Sequence, residues 1–444
     1  MALVTDLTAR RLELVLANEQ CNGRIPSVAA ALTRDGSLVW RGSRGGATGE
    51  PGMPPTDLQY RIGSITKTMT AVLLMQLRDD GLVSLNAALS TYLSELKADR
   101  RLGDRTLREL LAHDAGIAAE PPGEWWERTE GGSFDELVAR LGSLSVPFEP
   151  GETHHYSNVG YALLGEVVAR IDGRSWWECL SERVLQPLGM TRTSYDPFDP
   201  HAQGYSVAPW SPLLAEEPAF DTGAMAPAGQ VWSTVMDLAT FADFLITGHR
   251  DVLPIETLEE MSTPQSGSLS GGLASGYGLG LRLLAGGSGF LVGHTGSMPG
   301  FQAAVFVDRV RRTGAVVLAN STTGLRTEQI SGELIDELER CEPTVPDPWQ
   351  PVDEVPAEVA ELLGVWHWGN TPKLFTWDGA LLRVRNALTK DHLEALRLAS
   401  DGTFVGVSGY HHGEPLEVVR RPDGGVSHLV WSTFVLTRTP YAPR

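Results

Sequence analysis

Arg61-Ile62-Gly63-Ser64-Ile65-Thr66-Lys67 opens a run that continues Thr68-Met69-Thr70-Ala71-Val72-Leu73-Leu74-Met75-Gln76-Leu77 and stops at Asp79-Asp80-Gly81. Apolar residues occupy most faces of the run, which predicts a buried helix starting at Ser64. On it Ser64 and Lys67 are three residues apart, so a hydroxyl and an amine share one face at the helix N-terminus. Lysine occurs only at 67, 97, 373 and 390, although the chain holds 36 basic residues. An arginine guanidinium keeps its proton in a protein, whereas a desolvated ammonium can fall into the range of a general base. A lone lysine on an apolar helix therefore points to chemistry that arginine cannot do.

On the N-terminal side, residues 6–19 read as an amphipathic helix with Leu12, Leu14, Val15 and Leu16 buried. Residues 27–33 and 37–41 flank Asp35-Gly36, the dipeptide of a tight hairpin. A Gly- and Pro-rich loop over 42–55 leads to the Ser64 helix. On the C-terminal side, residues 82–200 form a helical block, clearest at 106–111, 134–144 and 158–171. Trp125-Trp126 and Trp176-Trp177 within it read as interhelix packing rather than pocket walls. Strand patterns return at 289–293, 301–308 and 313–319, followed by a helix over 325–340. The expected fold is α+β: one antiparallel sheet drawn from both ends of the domain, flanked by helices, with an inserted helical lobe.

Residues 341–356 carry prolines at 343, 346, 348, 351 and 356 and four acidic residues, the composition of a stiff linker. Beyond it, short apolar runs are punctuated by Asp378-Gly379, Asp401-Gly402 and Asp423-Gly424, a spacing that predicts a small up-and-down β-barrel or sandwich, of which the barrel is the expectation. The expected organisation is thus a domain over 1–340, a linker over 341–356 and a barrel over 357–444.

Bulk properties exclude several functions. A formal charge of -19 over 444 residues argues against a nucleic-acid or anionic-membrane partner. Cys21, Cys179 and Cys341 are too few and too widely spaced for a disulfide framework or a metal cluster. The N-terminus lacks a secretory pattern and no apolar run reaches membrane length, so a cytoplasmic location is expected.

Three patches line up along the chain: Ser64-Ile65-Thr66-Lys67, Tyr156-Ser157-Asn158 and His294-Thr295-Gly296. In identity and order they resemble the S-x-x-K, Y-x-N and K/H-T-G motifs of the active-site-serine penicillin-recognising superfamily, in the branch of class C β-lactamases, D-alanyl-D-alanine peptidases, D-aminopeptidases and esterases. Thr106 to Gly116, Pro227 to Thr234 and Tyr277-Gly278-Leu279-Gly280 resemble further segments of that family. The resemblance implies Ser64 as nucleophile, Lys67 or Tyr156 as its base, and Asn158 as an amide that binds both substrate and Lys67. It implies an oxyanion hole from the backbone N–H groups of Ser64 and Ser297, beside Thr295 and Gly296. It implies no cofactor and no metal.

His294 stands where β-lactamases usually carry lysine, which moves the expectation away from antibiotic hydrolysis. His154-His155 read as solvated. Gln230 and His113-Asp114-Ala115-Gly116 depart from the family's usual residues without touching a catalytic group. With its barrel, the chain is most similar to penicillin-binding-protein-type thioesterases, which carry a lipocalin-like C-terminal domain. That similarity implies release of a nonribosomal peptidyl thioester ending in a D-residue as a head-to-tail macrolactam, with delivery of the peptide by a peptidyl carrier protein. A cytoplasmic carboxylesterase or a D-amino-acid-specific peptidase is the alternative. A non-enzymatic binding module is disfavoured because Ser64, Lys67, Tyr156 and Asn158 are all present.

Overall fold

The computed structural model describes residues 4–46, 57–267, 275–287, 289–345, 348–389 and 393–441. Most of the loop expected over 42–55, and Lys390, lie outside the described residues. The chain divides into two compact units, Met1–Thr344 and Val345–Arg444.

In the first unit the hairpin forms as Asp35-Gly36 demands. Strands β1 (Ser27–Arg34) and β2 (Ser37–Gly45) pair antiparallel. Asp35 and Gly36 take φ of 51° and 74°, the left-handed values that a two-residue hairpin turn requires. The sheet is completed from the far end of the chain by β3 (Ser275–Tyr277), β4 (Arg282–Gly286), β5 (Gly289–Met298), β6 (Phe301–Asp308) and β7 (Thr313–Ala319). Its order is β2-β1-β7-β6-β5-β4-β3, antiparallel throughout.

Five longer helices surround it: α1 (Asp6–Gly23), α2 (Ile65–Asp79), α3 (Asn158–Asp172), α4 (Val235–Thr247) and α5 (Ile330–Cys341). β1 is apolar along its length because both of its faces are covered. Val28, Ala30 and Leu32 pack into a core with Leu12, Leu16, Leu334 and Leu338 of α1 and α5. Ala29 and Ala31 join the larger core that contains α2, α3 and α4. On α1 the buried stripe is Leu12 and Leu16, whereas Leu14, expected inside, is 59% exposed. The last helix starts at Ile330 rather than 325, since the backbone N–H groups of Leu325 and Arg326 are bonded to the side chains of Gln302 and Glu19. Trp126 and Trp176 are buried as packing residues, but Trp125 is exposed.

The first turn and a half of α2 is weak in helix propensity, with β-branched Ile65 and three threonines, Thr66, Thr68 and Thr70. Tertiary contact holds it: every residue from Ile65 to Leu77 is buried. Its threonine hydroxyls donate to neighbouring backbone, Thr68 to Gly280 O at 2.8 Å and Thr70 to Pro227 O at 2.9 Å.

The second unit is a nearly closed antiparallel barrel of eight strands: β8 (Gly364–Trp368), β9 (Thr371–Trp377), β10 (Leu382–Asn386), β11 (Glu394–Leu398), β12 (Phe404–Ser408), β13 (Pro415–Arg420), β14 (Val426–Trp431) and β15 (Phe434–Leu436). Each pairs with the next, and His367 and Thr437 exchange backbone hydrogen bonds of 2.7 and 3.0 Å between the first strand and the end of the last. The apolar run 428–436, one strand in the sequence reading, is two. Trp431 pairs with Phe434 across a two-residue turn whose Ser432 has φ 56°. The core of Trp366, Phe375, Phe404, Leu429 and Trp431 is joined by Val359 and Leu362 from the one-turn helix Ala357–Ala360 and its exit.

Candidate active site

Ser64 sits at the N-terminus of α2, and the helix turn places Lys67 beneath it. The Lys67 Nζ lies 2.9 Å from Ser64 Oγ and donates to Ala228 O at 2.6 Å. Lys67 is fully buried. Burial pulls its pKa down from 10.5 to about 7, against the opposing pull of the Glu120 and Glu127 carboxylates. Ala228 belongs to the Pro227–Thr234 segment, which grips α2 at two further points: Thr70 bonds Pro227 O, and Val231 N–H donates to Thr66 Oγ1 at 3.3 Å. Gln230, the departure from the family residue, accepts from the buried Arg61 at 2.7 Å and from Thr222.

Tyr156 immediately precedes α3, whose N-cap Ser157 accepts from Gly160 N–H at 3.1 Å. The segment is pinned by 113–119: His113 Nδ1 accepts from Ser157 N–H at 3.0 Å, and Asn158 N–H donates to Ala119 O at 2.8 Å. The His113 ring packs 4.1 Å from the Tyr156 ring and is held neutral by burial. Lys67 Nζ lies 5.0 Å from the Tyr156 ring centroid. Burial drives the Tyr156 pKa far above its usual 10, so the phenol is protonated at neutral pH. Near neutral pH Lys67, and not Tyr156, is therefore the group of the pair that rests partly deprotonated.

β5 supplies the third side. His294 is buried, its Nδ1 2.5 Å from Thr295 O and its Nε2 2.8 Å from the Tyr277 hydroxyl. Because a carbonyl can only accept, Nδ1 carries the proton and Nε2 accepts from Tyr277. Burial, with help from Arg282, holds the imidazole neutral. The charge that a lysine would bring at this position is thus absent, and the cation facing the cavity is Arg282 of β4, opposite Gly293 in the sheet register. Arg282 donates to Thr295 Oγ1 at 3.0 Å and pairs with Glu328 at 2.5 Å.

Backbone meets backbone between β5 and the turn before Ser64. Gly63 has φ 52°, and a Cβ there would lie 2.6 Å from Ser297 N. A Cβ on Gly296 would lie 1.9 Å from Ile62 O and 3.3 Å from Ser64 N. Two glycines are therefore what allow the Ser64 and Ser297 amides to come together.

These elements enclose a cavity of about 330 Å³ lined by Ser64, Tyr156, His294, Thr295, Gly296 and Ser297, so six of the eight expected residues meet on one wall. Lys67 lies below Ser64. Asn158 is placed differently from the expectation: its amide nitrogen donates to Glu120 at 2.8 Å, while the bonds from Lys67 go to Ser64 and Ala228. His154, read as solvated, is bonded to Ser266 at 2.9 Å and lines the cavity. Tyr277, Arg282, Gln302 and Thr327 complete the wall and carry no local sequence signal of their own, apart from the Tyr277 motif. Among the described residues no helix is long and apolar enough to cross a membrane.

Known proteins carry the same architecture. Beta-lactamase-like protein 2 of Dictyostelium discoideum is 29% identical over 266 residues, 57% of this chain and 48% of its own length. The chain spans about half the length of the curated relatives it matches first. The octameric penicillin-binding protein homologue from Pyrococcus abyssi superposes with a TM-score of 0.67 at 22% identity, over 98% of this chain and 100% of that one, a likeness of fold. SurE, solved with D-Leu, superposes with a TM-score of 0.61 at 26% identity over 98% and 100% of the two chains. A domain family of unknown function, DUF7586, matches residues 355–438. Residues 4–340 match the beta-lactamase family, and with Ser64, Lys67, Tyr156 and His294 gathered around one cavity the chain belongs to that family.

Proposed function

We propose that the protein is a serine acyltransferase that forms an acyl-enzyme on Ser64 from a peptidyl thioester ending in a D-residue. The acyl group then passes to the peptide's own N-terminal amine, which releases a head-to-tail macrolactam. The observation that carries the first step is the Lys67–Ser64 contact of 2.9 Å with a lysine pKa of about 7. Near neutral pH a large fraction of Lys67 is the free amine. Its bond to Ala228 O persists in that form and turns the lone pair toward Ser64 Oγ.

The proton moves from Oγ to Lys67 as Oγ bonds to the acyl carbon, and the carbonyl electron pair becomes an oxyanion facing the Ser64 and Ser297 N–H groups. The neutral phenol of Tyr156 faces the same cavity and supplies a proton to the departing thiolate. Collapse of the oxyanion breaks the C–S bond. In the second half the incoming amine loses its proton to the Tyr156 phenolate, the C–Oγ bond breaks, and Oγ takes back its proton from the Lys67 ammonium, which restores both Ser64 and the free amine. Arg282, with His294 neutral beside it, is the cation available to orient a carboxylate or carbonyl of the acyl chain.

Support for a D-residue in the acyl group comes from the likeness to SurE across both units, that protein having been solved with D-Leu, and support for the amine acceptor from the resemblance to thioesterases with a C-terminal barrel. Delivery by a peptidyl carrier protein belongs to the same reading. Ester or D-peptide hydrolysis is the second reading, in which water takes the place of the amine. The test offers peptidyl N-acetylcysteamine thioesters with a C-terminal D- or L-residue to the wild type and to Ser64→Ala, with products separated by mass. Macrolactam from the D-substrate alone, lost in Ser64→Ala, is expected. Linear acid as the sole product would replace cyclisation by hydrolysis, and no Ser64-dependent product would sink both readings.

A further inference from the structure

The barrel holds a second cavity, also about 330 Å³, for which the acyl-enzyme chemistry has no use. It lies where β8 turns into β9, β12 into β13 and β14 into β15. Flat rings build its walls. Trp368 stacks on Phe434 at 4.6 Å and 19°, and Tyr410 lies parallel to Phe434 at 5.9 Å and 9°. Trp368 and Tyr410 are nonetheless 43% and 80% exposed, so large apolar rings stand uncovered at the rim of an open hole. Singly, exposed aromatics need no explanation; gathered on one cavity they mark a surface that a ligand would cover.

The polar groups are as unusual. Glu394 and His411 are buried, and the Glu394 carboxylate accepts from His411 Nδ1 at 2.7 Å, with a second bond of 3.3 Å from His411 N–H. That fixes one ring nitrogen and leaves the other. Among the described residues His411 Nε2 is buried with no partner, and so is Nε1 of Trp431, whose ring stacks on His411 at 4.2 Å. An indole N–H can only donate, and buried donors are almost always paired. Lys373, one of the chain's four lysines, lines the same cavity and makes no ion pair among the described residues.

We propose that the barrel cavity is a binding site for a small amphipathic anion, an aromatic or short-chain carboxylate. Its apolar part lies against Trp368, Phe434 and Tyr410, and its acid group takes the Trp431 N–H and the Lys373 ammonium. The ring walls suit a planar body, and the cation with the unsatisfied indole N–H suits one negatively charged acceptor group. The proposal is independent of the acyl-transfer reading, because every residue it uses lies within the barrel.

The test uses the full chain and 1-anilinonaphthalene-8-sulfonate, an aromatic anion, with its uncharged analogue N-phenyl-1-naphthylamine as the second probe. Saturable binding of one anion per chain is expected, with displacement by an aromatic carboxylate. Lys373→Met should weaken the anion about tenfold while leaving the uncharged probe unchanged, since a charge-assisted bond is worth roughly that factor. Trp431→Phe, which keeps a ring and removes the N–H, should weaken it several-fold, and Trp368→Ala should weaken both probes. Each variant is checked by near-ultraviolet circular dichroism. No saturable binding by the wild type, or equal affinity for the anion in wild type, Lys373→Met and Trp368→Ala, would overturn the site.

Discussion

Two cavities of the same volume, about 330 Å³ each, are built on opposite terms. The one at Ser64 is assembled from distant parts of the chain: the N-terminus of α2, the segment before α3, strands β3, β4, β5 and β6, and Thr327. Its reactive groups are held by fixed partners, Lys67 by Ala228, His294 by Tyr277 and Thr295. The barrel cavity comes from successive hairpins of one meander, and aromatic rings with two unpaired ring nitrogens face it or flank it. A site for chemistry needs its polar groups positioned before the substrate arrives; a site for retention needs apolar surface and a few unmet valences. Changes at the first should act on rate, and on stability where a desolvated charge is removed, whereas changes at the second should leave rate untouched.

The largest effect expected from that contrast is at the nucleophile. Ser64→Ala should lower turnover by about 10⁴-fold or more, with an unchanged unfolding midpoint. A residual rate near that of the wild type would place the chemistry elsewhere. Next comes the base. Lys67→Arg should cost about 10²- to 10⁴-fold, the span of general-base catalysis, because the guanidinium keeps its proton. In the wild type kcat/KM should rise with pH through about 7, as the ammonium becomes the amine. A midpoint unmoved in Tyr156→Phe assigns it to Lys67, and a midpoint near 10 would refute the assignment.

Gly296→Ala sets a methyl group against Ile62 O and beside Ser64 N. Loss of oxyanion geometry should lower kcat by about 10²- to 10³-fold, with a smaller change in KM. A wild-type kcat would show that the close approach of the two amides is incidental to the chemistry.

Lys67→Met sharpens the comparison through stability. The folded state depresses the lysine pKa, so between pH 7 and 10 the unfolded chain binds the extra proton and wild-type stability rises with pH. The penalty is fully present below about 7. Methionine removes it, so the variant should gain about 1–4 kcal/mol at pH 6, with the gain shrinking toward pH 10, in urea titrations. An equal gain at both pH values would deny that Lys67 is buried at a cost. Smallest is Ser432→Gly in the barrel turn, where φ is 56°. Relief of the left-handed conformation should add about 0.5–1 kcal/mol to the barrel's unfolding and leave turnover untouched.

Local elements were legible where their signal is local. Asp35-Gly36 announces its turn by residue type, and β6 and β7 span the expected residues, because an apolar run ended by a turn needs no distant information. Helix α4 has no counterpart in the sequence reading. Val235, Leu238, Phe241, Ala242 and Leu245 bury it on several sides, so it shows little one-sided periodicity. In the barrel, Ser432 and Thr433 lack the Asn-Gly or Asp-Gly of the usual two-residue turn, and two strands read as one.

The site divides in the same way. Ser64 and Lys67 share a helix, so their contact follows from helical geometry alone. Arg282 is one arginine among many and acquires its place only from the register of β4 on β5. Asn158 and His154 were given partners or exposure that the packing did not respect.

By itself, the sequence determined the α+β class with a following barrel, many of the elements, and the three motifs, because turn chemistry, periodicity and residue type act over a few residues. The tertiary structure alone decided that Lys67 is fully desolvated, that His294 is neutral and spent on Tyr277, that two glycines let the amides of Ser64 and Ser297 meet, and that the barrel keeps an open cavity. Burial and hydrogen-bond partners are set by segments hundreds of residues apart, and they fix which state of a titratable group is the stable one.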